Sequence, residues 1–413
     1  MPAIKESARQ KYEQVEARKL QSPAQPSAVE RNLKFIIVGG LFAGLALSPN
    51  LWLSERLYPL TPVFPWLGAI PSPFDFASYL TLLVLLLAIA AVKRPAKLIG
   101  CFSLLAITVA LFDQSRWQPW FYQYLAMLVA LGLYDYKRGE DDDIHNPALN
   151  ACRLIVACTY LWSGLQKAHA GFATDTVPFL IHPLQKLFPA WSGSLHIGVA
   201  VIAPIVETSI GIGLLTRRFR KVAIVTAFGM HAFILLRIGP FGANWNTVVW
   251  PWNIAMLCFL LVLFWRSPGL SVKEIVWPRR RFQLVILLLF GVAPLFSFLN
   301  WWDAYLSSAL YSGTRNTATI YVKNALADRL PPEILRQVFL TKKPGINEIS
   351  LVKWAMREQN VAVYPEPRIY RNVARSLCAY AHDPSELKLV IAQTDVLFSP
   401  DRQLSYDCPA LLK

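Results

Sequence analysis

Residues 76–97 read FASYLTLLVLLLAIAAVKRPAK, an uninterrupted apolar run that ends in a basic turn. A membrane-spanning helix needs about 20 predominantly apolar residues to cross about 30 Å of hydrocarbon. Eight further stretches of similar length and character occur along the chain. We therefore predict nine membrane-spanning helices, at 33–52, 76–92, 97–112, 119–134, 149–166, 195–215, 222–237, 247–265 and 282–300.

The basic residues between these stretches fall on alternate connections. They cluster before the first stretch and then at 93–97, 137–138, 217–221 and 266–281. Cytoplasmic connections carry an excess of Lys and Arg, so the N-terminus is predicted to be cytoplasmic. An odd number of spans then places the C-terminus on the outer face. A soluble protein with many buried helices does not explain this alternation.

The pattern divides the chain into three regions. These are a cytoplasmic disordered tail (1–30), an all-α polytopic bundle of about nine spans (31–300) and a small extracytoplasmic α+β domain (301–413). The formal net charge is +15, and most of the excess lies on the predicted cytoplasmic connections. It therefore indicates orientation and attraction to anionic headgroups of the bilayer, and not nucleic-acid binding. The predicted location is the inner (cell) membrane.

The predicted outer domain mixes strands and helices. Residues 317–323 alternate like a strand, and residues 387–398 and 402–408 are predicted to pair as a hairpin around Ser399-Pro400-Asp401. Helices are predicted at 331–340, 348–359 and 366–381.

Two cysteines, Cys378 and Cys408, lie in this outer domain. Because the outer face is oxidising, we predict that they form a disulfide. The remaining cysteines lie within predicted spans and are interpreted as packing residues, namely Cys101, Cys152, Cys158 and Cys258.

Charged and polar residues within or at the ends of spans are the candidates for chemistry, because they are costly in hydrocarbon. Four stand out: Arg153, Lys167, Glu207 and His231. Each also has a purely structural interpretation. Lys167 could extend to the interface, Glu207 and Arg153 could form an ion pair, and His231 could be a hydrogen-bonded core residue. Histidines on the outer loops share no ligand spacing, and no metal site is predicted.

The predicted topology places Lys167 and His231 at the same depth, toward the outer face. A lysine in a partly dry pocket could act as a base toward a lipid-soluble acid such as a hydroquinone. The His231 imidazole could then donate a hydrogen bond to the developing oxyanion.

Three segments resemble vitamin K-dependent gamma-carboxylase. Ser163-Gly-Leu-Gln-Lys167 is similar to the Ala-Gly-Val-Lys-Lys segment of that family, and Asp113-Gln-Ser-Arg-Trp-Gln-Pro-Trp-Phe-Tyr-Gln-Tyr124 is similar to its Asp-x-x-x-Trp-Asn-Asn-His-x-Tyr-x-Tyr stretch. Glu207, the basic segment 217–220 and Gly229-Met-His231 resemble its acidic residue, basic loop and Phe-His pattern. Bacterial members of this kind form the broader group of horizontally transferred transmembrane (HTTM) domain proteins.

The resemblance implies a ligand and a set of roles. The ligand is reduced vitamin K or another isoprenoid quinone, Lys167 matches the family's proposed base, and His231 matches a histidine of the same pocket. Three aromatic residues of the second segment, Trp120, Tyr122 and Tyr124, are expected to form walls of the pocket. Glu207 and Arg153 are expected as further binding residues. If the protein is an enzyme, the expected reaction is either that of a carboxylase-like lyase or ligase, or a quinone-linked reaction.

Two other functions are compatible with the sequence. In a transporter, Glu207 and Arg153 would couple to a substrate at depth in the membrane. In a non-catalytic subunit of a membrane complex, the outer domain would dock a partner protein.

Overall fold

The structure is a computed structural model that describes residues 25–136, 143–267, 270–313, 316–341, 344–393 and 402–412. Most of the predicted tail, residues 1–24, therefore lies outside the described residues. The first helix begins at Ala28 and is capped by the Ser27 side chain, which accepts a hydrogen bond from the Glu30 amide.

Each of the nine apolar stretches coincides with helical structure. The main helices are α1 Ala28–Leu47, α2 Phe74–Ala91, α3 Ala96–Leu111, α4 Pro119–Tyr136, α5 Pro147–Gln166, α6 Val177–Leu187, α7 Ser192–Leu215, α8 Arg220–Ile238, α9 Val249–Leu260 and α10 Arg281–Ile286. Helix α9 continues in a wider π-helical turn, Leu261–Trp265. Helix α10 continues through Leu287–Val292 and Ala293–Leu299. Helix α6 was not predicted, because it is short and contains two prolines, Pro178 and Pro183.

Five of the described helices are long and apolar enough to cross a membrane. They are Phe74–Ala91, Pro147–Gln166, Pro189–Leu215, Arg220–Ile238 and Arg281–Leu299. Ala96–Leu111 and Val249–Trp265 are apolar but shorter. Helix α1 carries Glu30, Arg31 and Lys34 in its first two turns, which lowers its apolar character there. The count of nine spans stays a prediction.

Hydrogen bonds join basic connections in pairs at one end of the bundle. Lys34 Nζ at the start of α1 donates to the carbonyl oxygens of Ala90 and Val92, at 3.0 and 2.6 Å. Arg220 at the start of α8 donates to the carbonyl oxygens of Ser267 and Leu270, at 2.9 and 2.8 Å. We name this end the basic end.

Helix α5 is the centre of the bundle. In its apolar 18-residue segment, 89% of the residues are buried, against 22–28% in the corresponding segments of the other four long apolar helices. Helix α7 packs very closely against it. A β-carbon built on Gly164 of α5 would lie 2.4 Å from the backbone nitrogen of Thr208, and one built on Gly211 of α7 would lie 2.6 Å from the backbone nitrogen of Leu161. Such pairs of small residues let helix backbones approach each other within a membrane.

The C-terminal domain contains a five-stranded antiparallel sheet in the order β2-β3-β1-β4-β5. The strands are β1 Asn316–Lys323, β2 Val338–Leu340, β3 Ile346–Ile349, β4 Leu387–Gln393 and β5 Arg402–Asp407. Helices α11 Leu351–Gln359 and α12 Pro367–Leu377 bury apolar faces against the sheet. The shorter helical turns of the chain are Pro49–Trp52, Gln114–Arg116, Phe172–Thr176, Pro189–Trp191, Val272–Val276, Tyr305–Ser307, Asn324–Ala327, Pro332–Leu335, Cys378–Tyr380, Pro384–Glu386 and Cys408–Leu412.

The predicted helix at 331–340 is wrong. Only Pro332–Leu335 is helical, and the chain then enters strand β2, because the following residues pair with β3. Strands β4 and β5 pair as predicted, although the turn of the predicted hairpin lies outside the described residues. The structure contains the Cys378–Cys408 disulfide, with the two Cα atoms 5.6 Å apart.

The C-terminal domain docks on the end of the bundle opposite the basic end. Asn360 Nδ2 donates to the carbonyl oxygen of Leu47 at the end of α1, at 2.8 Å. The Glu358 carboxylate accepts a hydrogen bond from the Tyr58 amide at 2.9 Å, and Gln118 Nε2 donates to the carbonyl oxygen of Ala362 at 3.2 Å.

A buried charge cluster holds the loops beneath this domain. The Asp113 carboxylate contacts the Arg56 guanidinium and accepts a 2.8 Å hydrogen bond from the Thr61 hydroxyl. Arg116 is fully buried and donates to backbone carbonyls, including that of Leu51 at 2.9 Å. Burial alone would raise the pKa of Asp113, but the positive charges of Arg56 and Arg116 outweigh it and lower that pKa.

We expect Asp113→Asn to lower the free energy of unfolding by about 3–5 kcal/mol, since it leaves two buried guanidinium groups without their counter-charge. Denaturant unfolding in detergent measures this. Glu55→Gln, an isosteric change at an exposed site in the same loop, is the control and should change little. Because the pKa of Asp113 is lowered in the folded protein, its stabilisation is complete above the ordinary value of 3.8 and is lost as the pH falls below it. An equal effect of both substitutions would contradict the cluster's role.

We expect Gly164→Ala to destabilise the protein by about 1–3 kcal/mol, because the new methyl group collides with the α7 backbone. Helix propensity alone favours alanine over glycine by about 1 kcal/mol. Gly229→Ala is the matched control, since nothing lies within 4 Å of a β-carbon at that position of α8. Thermal unfolding should therefore shift down for Gly164→Ala and stay level or rise for Gly229→Ala.

Candidate functional site

A cavity of about 440 Å³ opens among helices α5 to α9. Its walls are mostly apolar, with Leu180 and Leu184 from α6 and Val199 and Ala203 from α7. Leu310 and Tyr311, which precede strand β1, also line it. A volume of this size suits a small organic ligand or the head of a larger lipid.

Lys167 and Glu207 both line this cavity and form an ion pair, with Lys167 Nζ 2.7 Å from Glu207 Oε2. Lys167 Nζ also lies 2.7 Å from the Ser163 hydroxyl and 3.2 Å from the Ser163 carbonyl oxygen. A lysine ammonium group has three N–H donors, and these three oxygens match that number. The geometry is therefore that of a protonated Lys167 held against an ionised Glu207.

The ion pair follows from the close approach of α5 and α7. Lys167 follows the last turn of α5, three residues after Gly164, and Glu207 precedes Thr208, the residue that Gly164 touches. The side chains of Lys167 and Glu207 are only 11% and 12% exposed, so each needs the other as a counter-charge.

His231 lies in the same cavity wall, in a chain of buried hydrogen bonds. Its Nδ1 is 2.7 Å from Asn253 Oδ1, and its Nε2 is 2.6 Å from the Tyr160 hydroxyl. Asn253 Nδ2 donates to the Val249 carbonyl oxygen at 2.8 Å, which leaves Asn253 Oδ1 as the acceptor from Nδ1–H. In the neutral imidazole Nε2 is then the acceptor, and the Tyr160 hydroxyl donates to it.

This arrangement differs from the roles that the sequence suggests. The Lys167 nitrogen donates to three oxygens, so it is not a free amine base. Both ring nitrogens of His231 are engaged, so the imidazole is not a free donor for an oxyanion. The groups that remain available to a ligand are the Glu207 carboxylate, which among the described residues is paired with Lys167 alone, and the Tyr160 oxygen.

The three predicted aromatic walls lie elsewhere. Trp120 and Tyr124 face α1, where β-carbons on Gly44 and Gly40 would touch their rings. Tyr122 stacks on Phe290, with ring centroids 4.6 Å apart. None of the three lines the cavity, because the packing of α4 against α1 and α10 turns them away from it.

Arg153 lies at the basic end, away from the cavity. Its guanidinium donates to the carbonyl oxygens of Leu263 and Asp143, at 2.9 and 2.8 Å, and to Asn150 Oδ1 at 2.7 Å. The predicted Glu207–Arg153 ion pair is wrong, since the partner of Glu207 is Lys167.

Sequence reasoning missed three polar residues of the site, namely Tyr160, Ser163 and Asn253. The signal was present in part. Tyr160, Ser163 and Lys167 follow each other at three- and four-residue intervals and so share one face of α5. Asn253 is a polar residue within an apolar span, the same criterion that identified Glu207 and His231.

Comparisons with known proteins add no assignment. No protein-family model matches the chain, and neither does a curated protein or a solved structure.

We expect Lys167→Met and Glu207→Gln each to destabilise the protein by about 3–5 kcal/mol, because each leaves a buried charge unpaired. The double variant should lose less free energy of unfolding than the sum of the two single losses, with a coupling energy of about 2 kcal/mol. Unfolding in detergent of the wild type, the two single variants and the double variant gives this coupling energy.

The control is a second double-mutant cycle, Arg94→Met with Asp135→Asn. These two residues form an ion pair at the basic end, with an N···O distance of 3.2 Å, and the Arg94 side chain is 34% exposed. Its coupling energy should be below about 1 kcal/mol. Additive losses at Lys167 and Glu207 would show that the ion pair does not contribute in this way.

Proposed function

We propose that this protein is a multi-pass protein of the cell membrane that binds a lipid-soluble ligand with a hydrogen-bonding head, of the isoprenoid quinone class, in the cavity beside Lys167. The observation that carries the proposal is one ion pair and one Tyr–His–Asn chain at the polar wall of an otherwise apolar cavity. Ligand sites commonly combine apolar walls with a few convergent polar groups.

The polar groups suit the head of a quinol. A quinol supplies an acidic hydroxyl group when it is bound. With a quinol bound, Glu207 would accept the proton of that hydroxyl, and the positive charge of Lys167 would stabilise the oxygen that has lost it. Asn253 holds His231, and His231 in turn orients the Tyr160 oxygen, which can accept a further hydrogen bond. The proposal covers binding and proton transfer, and does not extend to carboxylation.

Membrane orientation is part of the proposal. The basic connections meet at one end of the bundle, and the positive-inside rule assigns that end to the cytoplasm. The C-terminal domain is then extracytoplasmic, and the cavity opens in the half of the bundle nearest to it. The disulfide between Cys378 and Cys408 fits an oxidising compartment.

The transporter hypothesis, in which Glu207 and Arg153 couple to a substrate at depth in the membrane, stays a prediction of the sequence. A role as a non-catalytic subunit of a membrane complex likewise stays a prediction of the sequence.

We expect Gly198→Phe to reduce co-purified quinone at least tenfold, because Gly198 lines the cavity and the new ring fills it. The protein is purified with native lipid, and the quinone-to-protein ratio is measured by mass spectrometry. Gly193→Phe is the matched control, since it lies on the same helix outside the cavity lining, and β-carbons at both positions have open space around them. Tyr124→Phe, at a wall residue predicted from the sequence, should also retain the quinone.

Equal quinone in Gly198→Phe and Gly193→Phe would reject this cavity as the binding site. Absence of any quinone-class lipid from wild-type protein would reject the ligand class.

A further inference from the structure

A second cavity, of about 240 Å³, lies at the basic end between the start of α1, the end of α2 and the start of α3. Its lining includes three basic residues, Arg31, Lys34 and Lys93. Its apolar part includes Phe35 and Ile99. It is on the opposite side of the bundle from the cavity beside Lys167.

Two acidic residues, Glu30 and Asp135, also line this cavity, and both are already engaged. The Glu30 carboxylate accepts a 2.7 Å hydrogen bond from the Ser27 amide in the cap of α1. Asp135 forms an ion pair with Arg94, whose Nη2 also donates to the Asp135 carbonyl oxygen at 3.0 Å. The negative charges therefore belong to the protein's own framework.

Two of the three basic residues are free of the contacts that hold the third. Lys34 uses two of its donors on the Ala90 and Val92 carbonyls. Arg31 and Lys93 are exposed, and among the described residues no carboxylate pairs with either side chain. A guanidinium and an ammonium group at one cavity form a site for a phosphate group.

The apolar part of the cavity continues onto the outer surface of the bundle. Phe35 on α1 is 49% exposed and Val92 after α2 is 41% exposed. A ligand that satisfies both parts has an anionic head and an apolar chain. Basic pockets between helices at the cytoplasmic side are suited to anionic lipid heads.

We propose that this second cavity binds an anionic phospholipid, with its phosphate between Arg31 and Lys93 and the start of an acyl chain along Phe35 and Val92. The proposal is independent of the function assigned to the cavity beside Lys167.

The test uses the full chain in detergent, with phosphatidylglycerol as the probe and phosphatidylcholine as the neutral reference. Native mass spectrometry measures the bound lipid. Wild type should bind phosphatidylglycerol in preference to phosphatidylcholine. Arg31→Gln with Lys93→Gln should weaken phosphatidylglycerol binding about 30-fold, since each cation near the surface contributes about 1 kcal/mol.

Arg218→Gln with Lys221→Gln is the matched control. It removes the same charge from exposed residues at the same end, outside the cavity lining. Binding should stay within about threefold of wild type if the cavity is specific, whereas an equal loss in both double variants overturns the proposal in favour of general surface attraction.

Two further arms complete the test. Ala91→Phe fills the cavity without a change of charge, and it should also weaken phosphatidylglycerol binding; unchanged binding in this variant overturns the site. Glycerol phosphate has the head without the chains. If glycerol phosphate protects the protein from thermal unfolding to the same degree as phosphatidylglycerol, the site holds a free phosphate and the lipid assignment is wrong.

Discussion

The close approach of α5 and α7 is the constraint on which the site depends. Gly164 and Gly211 remove the side chains that would keep the two backbones apart. The contact brings the end of α5 beside the middle of α7, so Lys167 and Glu207 meet at 2.7 Å. In a water-poor environment neither charge is stable alone, and the pair therefore links helix packing to the electrostatics of the cavity.

Pairing also decides what the cavity can do chemically. The Lys167 ammonium has an oxygen within hydrogen-bonding distance for each of its three N–H donors. The Glu207 carboxylate, by contrast, has a second oxygen that can accept a further hydrogen bond. The Tyr160–His231–Asn253 chain is fixed in the same way, because each polar atom named in it has a partner. Such fully satisfied networks hold their groups in one geometry.

The sequence predicts the helices well because the physical signal is local. Each apolar stretch is long enough to be recognised by itself, and all nine coincide with helical structure. The cost of a charge in hydrocarbon likewise identifies Lys167, Glu207 and His231 without any knowledge of the fold. Contacts between helices, by contrast, do not follow from a local pattern in the sequence. The rotation of α4, which turns Trp120 and Tyr124 toward Gly44 and Gly40, depends on contacts with another helix.

The same limit explains the wrong partner for Glu207. Its neighbour is selected by the glycine contact between α5 and α7, which a pattern of charges along the chain does not reveal. Arg153 is equally polar and lies on the same helix as Lys167, but it is fourteen residues earlier, near the start of α5. At 1.5 Å per residue this places it about 20 Å away along the helix axis.

The segment that leads into the C-terminal domain completes the cavity. Leu310 and Tyr311 line it, and they also line a neighbouring cavity of about 250 Å³ beneath the domain. Tyr311 is held there with a φ of 55°, a conformation that non-glycine residues rarely adopt, and its hydroxyl accepts a 2.9 Å hydrogen bond from Asn246 Nδ2. Gly313, with a φ of 71°, passes so close to Gly171 that a β-carbon would collide with the backbone. The wall between the two cavities thus includes two residues with positive φ, of which Tyr311 is held by Asn246 and Gly313 packs against the backbone of Gly171.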